Sequence, residues 1–118
     1  DLSRWREGGA SHPLVEELKH DLIENLQNSS FQVGAALQRL PLSPDHLREL
    51  FGKTTGKTPL RYLTDLRISE AKNLLREGYS VKESGVRVGY PDPYYFSRIF
   101  HKTTGIRPSV YALSQGRK

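Results

Sequence analysis

The chain has 118 residues, a net charge of +5, ordinary apolar content at 36%, and neither cysteine nor methionine. That length suits one domain, or two small lobes sharing a long element. Disulfides, thiol catalysis and thiolate metal sites are excluded; no run of about 18 apolar residues offers a membrane span, and no signal-peptide pattern opens the chain. The absence of cysteine fits a reducing cytosol. The start at Asp1 reads as a C-terminal piece of something longer. The charge is uneven: residues 1–30 hold three basic and six acidic side chains, residues 31–78 eight and five, and residues 79–118 seven and two. A lobe that basic expects a polyanionic partner, nucleic acid being the commonest.

Residues 1–12, with Trp5 and the pair Gly8-Gly9, read as linker. Pro13 starts a helix, and Leu14, Leu18, Leu22 and Leu26, flanked by Val15 and Ile23, make it amphipathic to near Asn28-Ser29-Ser30. Residues 32–40 carry Val33, Ala36, Leu37 and Leu40, and Pro41 must stand outside the helix interior. Ser43 caps the next helix and Pro44 takes its first position; Leu47, Leu50 and Phe51 form its apolar face, and Gly56 stops it. After Thr58-Pro59, apolar residues from Leu60 through Leu63, Leu66, Ile68, Ala71, Leu74 and Leu75 predict a helix of about 19 residues, or roughly 28 Å. Ser80 caps a short helix bearing Val81 and Val88, and Gly89 makes the turn after it. Asp92-Pro93 starts another helix with Phe96, Ile99 and Phe100 facing inward, which Gly105 ends. Pro108 opens the last, with Val110, Tyr111 and Leu113. No segment alternates with period two, so the fold class is all-α.

The second half repeats the first. Lys53-Thr54-Thr55-Gly56 returns as Lys102-Thr103-Thr104-Gly105, and Pro44, Leu47, Leu50, Phe51, Pro59 and Tyr62 return as Pro93, Phe96, Ile99, Phe100, Pro108 and Tyr111, all 49 residues on. Each copy is a short helix, a turn and a second helix, the pattern of a helix-turn-helix unit whose second helix enters a DNA major groove. Sites one DNA turn apart on one face lie ~34 Å from each other, close to the span of the ~28 Å connecting helix with its flanking turns.

Residues 33–54 and 81–104, with the helix over 59–77 between them, resemble the AraC/XylS family of bacterial transcription regulators. The resemblance rests on Val88-Gly89-Tyr90, Tyr95-Phe96-Ser97-Arg98-Ile99-Phe100, Lys102, Gly105 and Pro108-Ser109, and on Arg67-Ile68, Ala71-Lys72 and Leu74-Leu75 in the linker helix. It implies a seven-helix domain over 13–118, with two homeodomain-like helix-turn-helix lobes joined by a long linker helix. It implies sequence-specific binding of double-stranded DNA in adjacent major grooves and regulation of transcription, mainly activation, in the bacterial cytoplasm and nucleoid. RNA polymerase is a second implied partner. The domain alone is expected to be monomeric; effector sensing and any dimerisation would lie in a preceding domain. The chain departs from the family pattern at Ala36, Leu37, Pro41, Ser84 and Gly85. Glycine at position 85 costs roughly 0.5–1 kcal/mol of helix stability against alanine.

By family position, base contact falls on Asp45, Arg48 and Glu49 of the first unit, with His46 beside them, and on Tyr94, Tyr95 and Arg98 of the second. Arginine can hold guanine O6 and N7 with two hydrogen bonds, and glutamate can accept from cytosine N4. Other roles are open to the same residues: Arg48 with Glu49 as a solvated ion pair, Asp45 as a favourable charge at a helix start, the two tyrosines as partly buried against the linker helix. An acid near phosphates is repelled, so Asp45 and Glu49 should make the first unit a choosy or weak reader. Phosphate contacts, which position without reading sequence, are expected from Lys53, Lys57, Arg61, Lys102 and Arg107. His12, His20, His46 and His101 are scattered without metal-ligand spacing, and no phosphate-cradling loop or nucleophile elbow is present. No cofactor and no catalysis are expected; a helical scaffold without DNA affinity is the rival reading.

Overall fold

A computed structural model describes residues 12–115. The regular elements among them are seven helices: α1 Pro13–Glu24, α2 Val33–Gln38, α3 Pro44–Thr55, α4 Pro59–Glu77, α5 Val81–Arg87, α6 Pro93–Thr104 and α7 Pro108–Ser114. The linker reading of residues 1–11, Trp5 included, lies outside the described residues. Two compact units divide the described residues, one of 12–25 with 32–63, the other of 26–31 with 64–115.

In the first unit, α1 packs on α2 and α3, and α2 on α3. His12 caps α1, its Nδ1 accepting from the Leu14 N–H at 3.1 Å. The buried stripe of α1 is Val15, Leu18 and Leu22, not the four-leucine row; Leu14 and Leu26 are half-buried and Ile23 exposed. At 3.6 residues per turn, a strict four-residue step drifts about 40° each time, whereas i, i+3, i+7 stays on one face. The helix also ends at Glu24, short of Asn28. The Asn25 side chain donates to the Asp21 carbonyl at 2.9 Å, and the chain then turns away. Between α2 and α3 the Leu42 N–H reaches the Leu40 carbonyl at 2.8 Å, a one-residue turn centred on Pro41. Such a turn wants φ near about −75°, which the proline ring nearly sets; that accounts for proline in this turn.

The internal repeat is three-dimensional. Ser43 Oγ accepts from His46 N–H and Asp92 Oδ1 from Tyr94 N–H. Gly56 and Gly105 end α3 and α6 at φ +77° and +87°. Thr55 and Thr104 each donate to the carbonyl four residues back at 2.8 Å and accept the N–H of Lys57 or Ile106 at 3.1 or 3.2 Å. Phe51 meets Tyr62 edge-to-face at 5.2 Å, and Phe100 meets Tyr111 likewise at 5.7 Å. Equal residues at equal spacing thus close the second helix of each unit by the same bonds.

In the second unit, Ile68, Ala71, Leu74 and Leu75 of α4 cluster with Val88, Tyr90, Phe96, Phe100, Tyr111 and Ala112. Arg67 lies almost buried beside them, 8% exposed. Its Nε donates to the Leu26 carbonyl and its terminal nitrogen to the Asn28 carbonyl, both at 2.8 Å. The guanidinium stands 5.2 Å from the Tyr90 ring centre. Gly89, at φ +89°, closes over this arrangement; a Cβ there would lie 2.9 Å from the Leu26 carbonyl oxygen and 3.0 Å from the guanidinium. Ser80 and Glu83 cap α5 reciprocally. The Ser80 backbone N–H, then its hydroxyl, holds the Glu83 carboxyl below its ordinary pKa. Glu83 thereby favours the folded state at neutral pH, an effect lost as pH falls through its lowered pKa.

Gly85, an expected weak point of α5, has a packing reason. A Cβ at position 85 would sit 2.9 Å from two ring atoms of Phe96. In the first unit the same two repeat positions hold Ala36 and Leu47, a larger residue and a smaller one. Gly85→Ala is therefore expected to destabilise by ~1–3 kcal/mol through overpacking, despite alanine's better helix propensity. Adding Phe96→Leu, which copies the first unit, should recover most of the loss. The urea midpoints of wild type, single and double variants check this; a Gly85→Ala chain more stable than wild type would refute it.

Candidate nucleic-acid interface

α3 and α6 each bury two residues four apart, Leu47 and Phe51 in one and Phe96 and Phe100 in the other. Leu50 and Ile99 are half-buried. Helical geometry then turns a matching stripe outward in each unit: Asp45, Arg48, Glu49 and Gly52 on α3, and Tyr94, Ser97, Arg98 and His101 on α6. His46 is exposed next to Asp45, near the capped start of α3.

The charges on α3 are internally paired. Arg48 Nη1 lies 3.2 Å from Asp45 Oδ1, and Lys53 Nζ lies 3.8 Å from Glu49 Oε2. The pair expected between Arg48 and Glu49 does not form. Neighbours in sequence point about 100° apart on a helix, while residues three or four apart face each other. Both pairs are on the surface, Asp45 being 99% exposed along its side chain, so each has little energetic weight by itself.

α6 is different. Between Pro93 and Thr104 it carries Arg98, Lys102 and His101 and no acid. Arg98 and Lys102 are exposed and have no ion-pair partner among the described residues. Tyr94 is 83% exposed. Tyr95 is 46% exposed and sets its ring edge-on to Tyr90, in the turn before α6, at 5.7 Å. The two tyrosines therefore present different surfaces, Tyr94 a whole ring and Tyr95 part of one.

The five expected phosphate contacts are all exposed. Lys53 ends α3 in the ion pair with Glu49. Lys57 and Arg61 follow, each donating its backbone N–H to a threonine hydroxyl, of Thr55 and Thr58 respectively. Lys102 lies in the last turn of α6, and Arg107 is the residue before α7. Lys53, Lys57 and Arg61 belong to the first unit, Lys102 and Arg107 to the second. Arg67, read from the sequence only as part of a family pattern, is a buried anchor. Its signal was available: an arginine among the buried positions of an amphipathic helix must find acceptors.

A family model described as a helix-turn-helix domain matches residues 37–114. The chain belongs to that family. The AraC-type domain is similar over most of its length to curated transcription regulators. It is 37% identical over 98 residues to the arabinose operon regulatory protein of Escherichia coli, covering 82% of this chain and 34% of that protein. It is 32% identical over 117 residues to the transcriptional activator RhaR of Cronobacter sakazakii, covering 96% of this chain and 41% of that protein. The chain thus spans between about a third and two fifths of these relatives. Among solved structures, the C-terminal domain of AraT, a response regulator from Geobacillus stearothermophilus, superposes with a TM-score of 0.81 at 26% identity, covering 87% of this chain and 86% of that one. The DNA-binding domain of AdpA, solved in complex with a target DNA, gives 0.76 at 28% identity, covering 85% and 90%. By name the two curated relatives are transcription regulators, and the AdpA structure is the DNA-binding domain of a transcriptional factor. Among the described residues no group of acids and histidines could hold a metal ion, and no helix is long and apolar enough to cross a membrane.

Proposed function

We propose that this AraC-type domain reads double-stranded DNA through α3 and α6, each laid in a major groove of adjacent turns. The base contacts are Asp45, His46, Arg48 and Glu49 from the unit over 33–54, and Tyr94, Tyr95 and Arg98 from the unit over 81–104. Lys53, Lys57, Arg61, Lys102 and Arg107 take phosphates. The observation that carries this reading is the repetition of one outward stripe on two helices, each capped by a side chain at its start and stopped by a left-handed glycine, one of them wholly basic in its charges. The likeness to a domain solved on its target DNA supports it. The chain would serve as the DNA-binding part of a longer cytoplasmic regulator, with any effector site, dimer interface and RNA polymerase contact assigned to the whole protein.

Selection from a randomised duplex pool, followed by fluorescence anisotropy at two salt concentrations, tests this. The expected motif has two blocks about 10 base pairs apart, and the affinity falls steeply with salt. One block alone would reduce one helix to a phosphate contact. Affinity without salt dependence, or none, would return the domain to the scaffold reading.

A further inference from the structure

The internal repeat supplies its own control for the chemistry of the first reading helix, and this inference rests on the DNA-binding function proposed above. Position 49 of the first unit and position 98 of the second are equivalent, 49 residues apart, and hold glutamate and arginine. The next equivalent pair, Lys53 and Lys102, is lysine in both. One glutamate therefore changes two things. It places an anion where α6 places its guanine-binding cation. It also stands 3.8 Å from Lys53, drawing toward itself a charge that Lys102 keeps available. With Asp45 on Arg48 at 3.2 Å, α3 carries two acids and two bases from Pro44 to Thr55, while α6 carries two bases and no acid.

We propose that Glu49 is a negative specificity determinant and that the two units divide their labour. α6 supplies the larger share of affinity, reading guanine through Arg98 and holding phosphate through Lys102. α3 is electrostatically closed and adds binding only where a cytosine or adenine amino group meets the Glu49 carboxylate. Elsewhere the carboxylate faces acceptors, guanine O6 and N7 or thymine O4, and the phosphates beside them, all of which repel it. Its rejection of wrong sites exceeds its contribution at the right one, because a desolvated anion left facing acceptors has no compensating partner.

Glu49→Gln and E49R separate this from a merely solvated ion pair. Glu49 is exposed, and unchanged circular dichroism and melting confirm the fold. For Glu49→Gln, affinity for a non-operator duplex should rise several-fold, the operator-to-non-operator ratio should fall roughly 5- to 100-fold, and the salt slope should steepen by about one as the carboxylate no longer offsets the charge of Lys53 beside the phosphates. Repeated selection should lose preference only in the block read by α3. E49R should create a guanine preference at that position, as at the repeat-equivalent Arg98. An unchanged ratio and salt slope in Glu49→Gln would overturn the proposal while wild-type selection still upheld DNA binding. Absence of salt-dependent binding by wild type would instead remove the function on which it rests.

Discussion

Arg67→Ala is expected to lower stability by about 3 kcal/mol or more. The guanidinium donates to the Leu26 and Asn28 carbonyls and lies over the Tyr90 ring. Removing it takes the donor from the carbonyls of half-buried Leu26 and exposed Asn28 and leaves a void beside Gly89. Hydrogen bonds from a charged donor are worth about 1.5–3 kcal/mol each, so two of them set the size of the effect. Arg67→Lys should recover little, since a single ammonium cannot reproduce the planar fork that spans two carbonyls. In a domain of this size the melting temperature should drop by roughly 10 °C or more. Thermal denaturation followed by circular dichroism reads it out, and a drop of only a degree or two would mean that water satisfies those carbonyls equally well.

Arg98→Ala should cost ~1–3 kcal/mol of operator binding and relax one base position. Stability should be nearly unchanged, because Arg98 is exposed and has no ion-pair partner among the described residues. Lys102→Ala, one turn along α6, supplies the contrast. It should weaken all sequences alike and lower the salt slope by about one. Anisotropy titrations on the operator and on its single-base variants distinguish the two. If Arg98→Ala kept every base preference, α6 would not present Arg98 to the bases.

Helix types, their starts and their stops were legible in the residues because they are local chemistry. Ser43, Ser80 and Asp92 cap where their short side chains can reach an N–H, Pro13, Pro44, Pro59, Pro93 and Pro108 sit at first helical positions, and Gly56 and Gly105 stop α3 and α6. The 49-residue repeat exposed α3 and α6 as equivalent helices, since equal prolines, stop glycines and apolar spacing build like units. The true end of α1 was not legible. Asn25 turns its side chain back on the Asp21 carbonyl, and past it the Leu26 carbonyl accepts from Arg67, 41 residues away, a partner that no local rule supplies. The pairing of Asp45 with Arg48 and Glu49 with Lys53 followed from helix periodicity, and adjacency in sequence misled.

What the sequence determined by itself is therefore the all-helical class, the duplicated unit, the family resemblance and the outward stripes on α3 and α6. Each follows from interactions within about four residues or from similarity of one segment to another. Only the tertiary structure decided why position 85 must be glycine, what Arg67 holds, and which ring Tyr95 meets. Those answers depend on contacts beyond one helical turn, from Tyr95 on Tyr90 across a turn to Arg67 on Leu26, 41 residues apart. There close packing leaves no room for a Cβ, and a buried donor must find its acceptor wherever the fold delivers one.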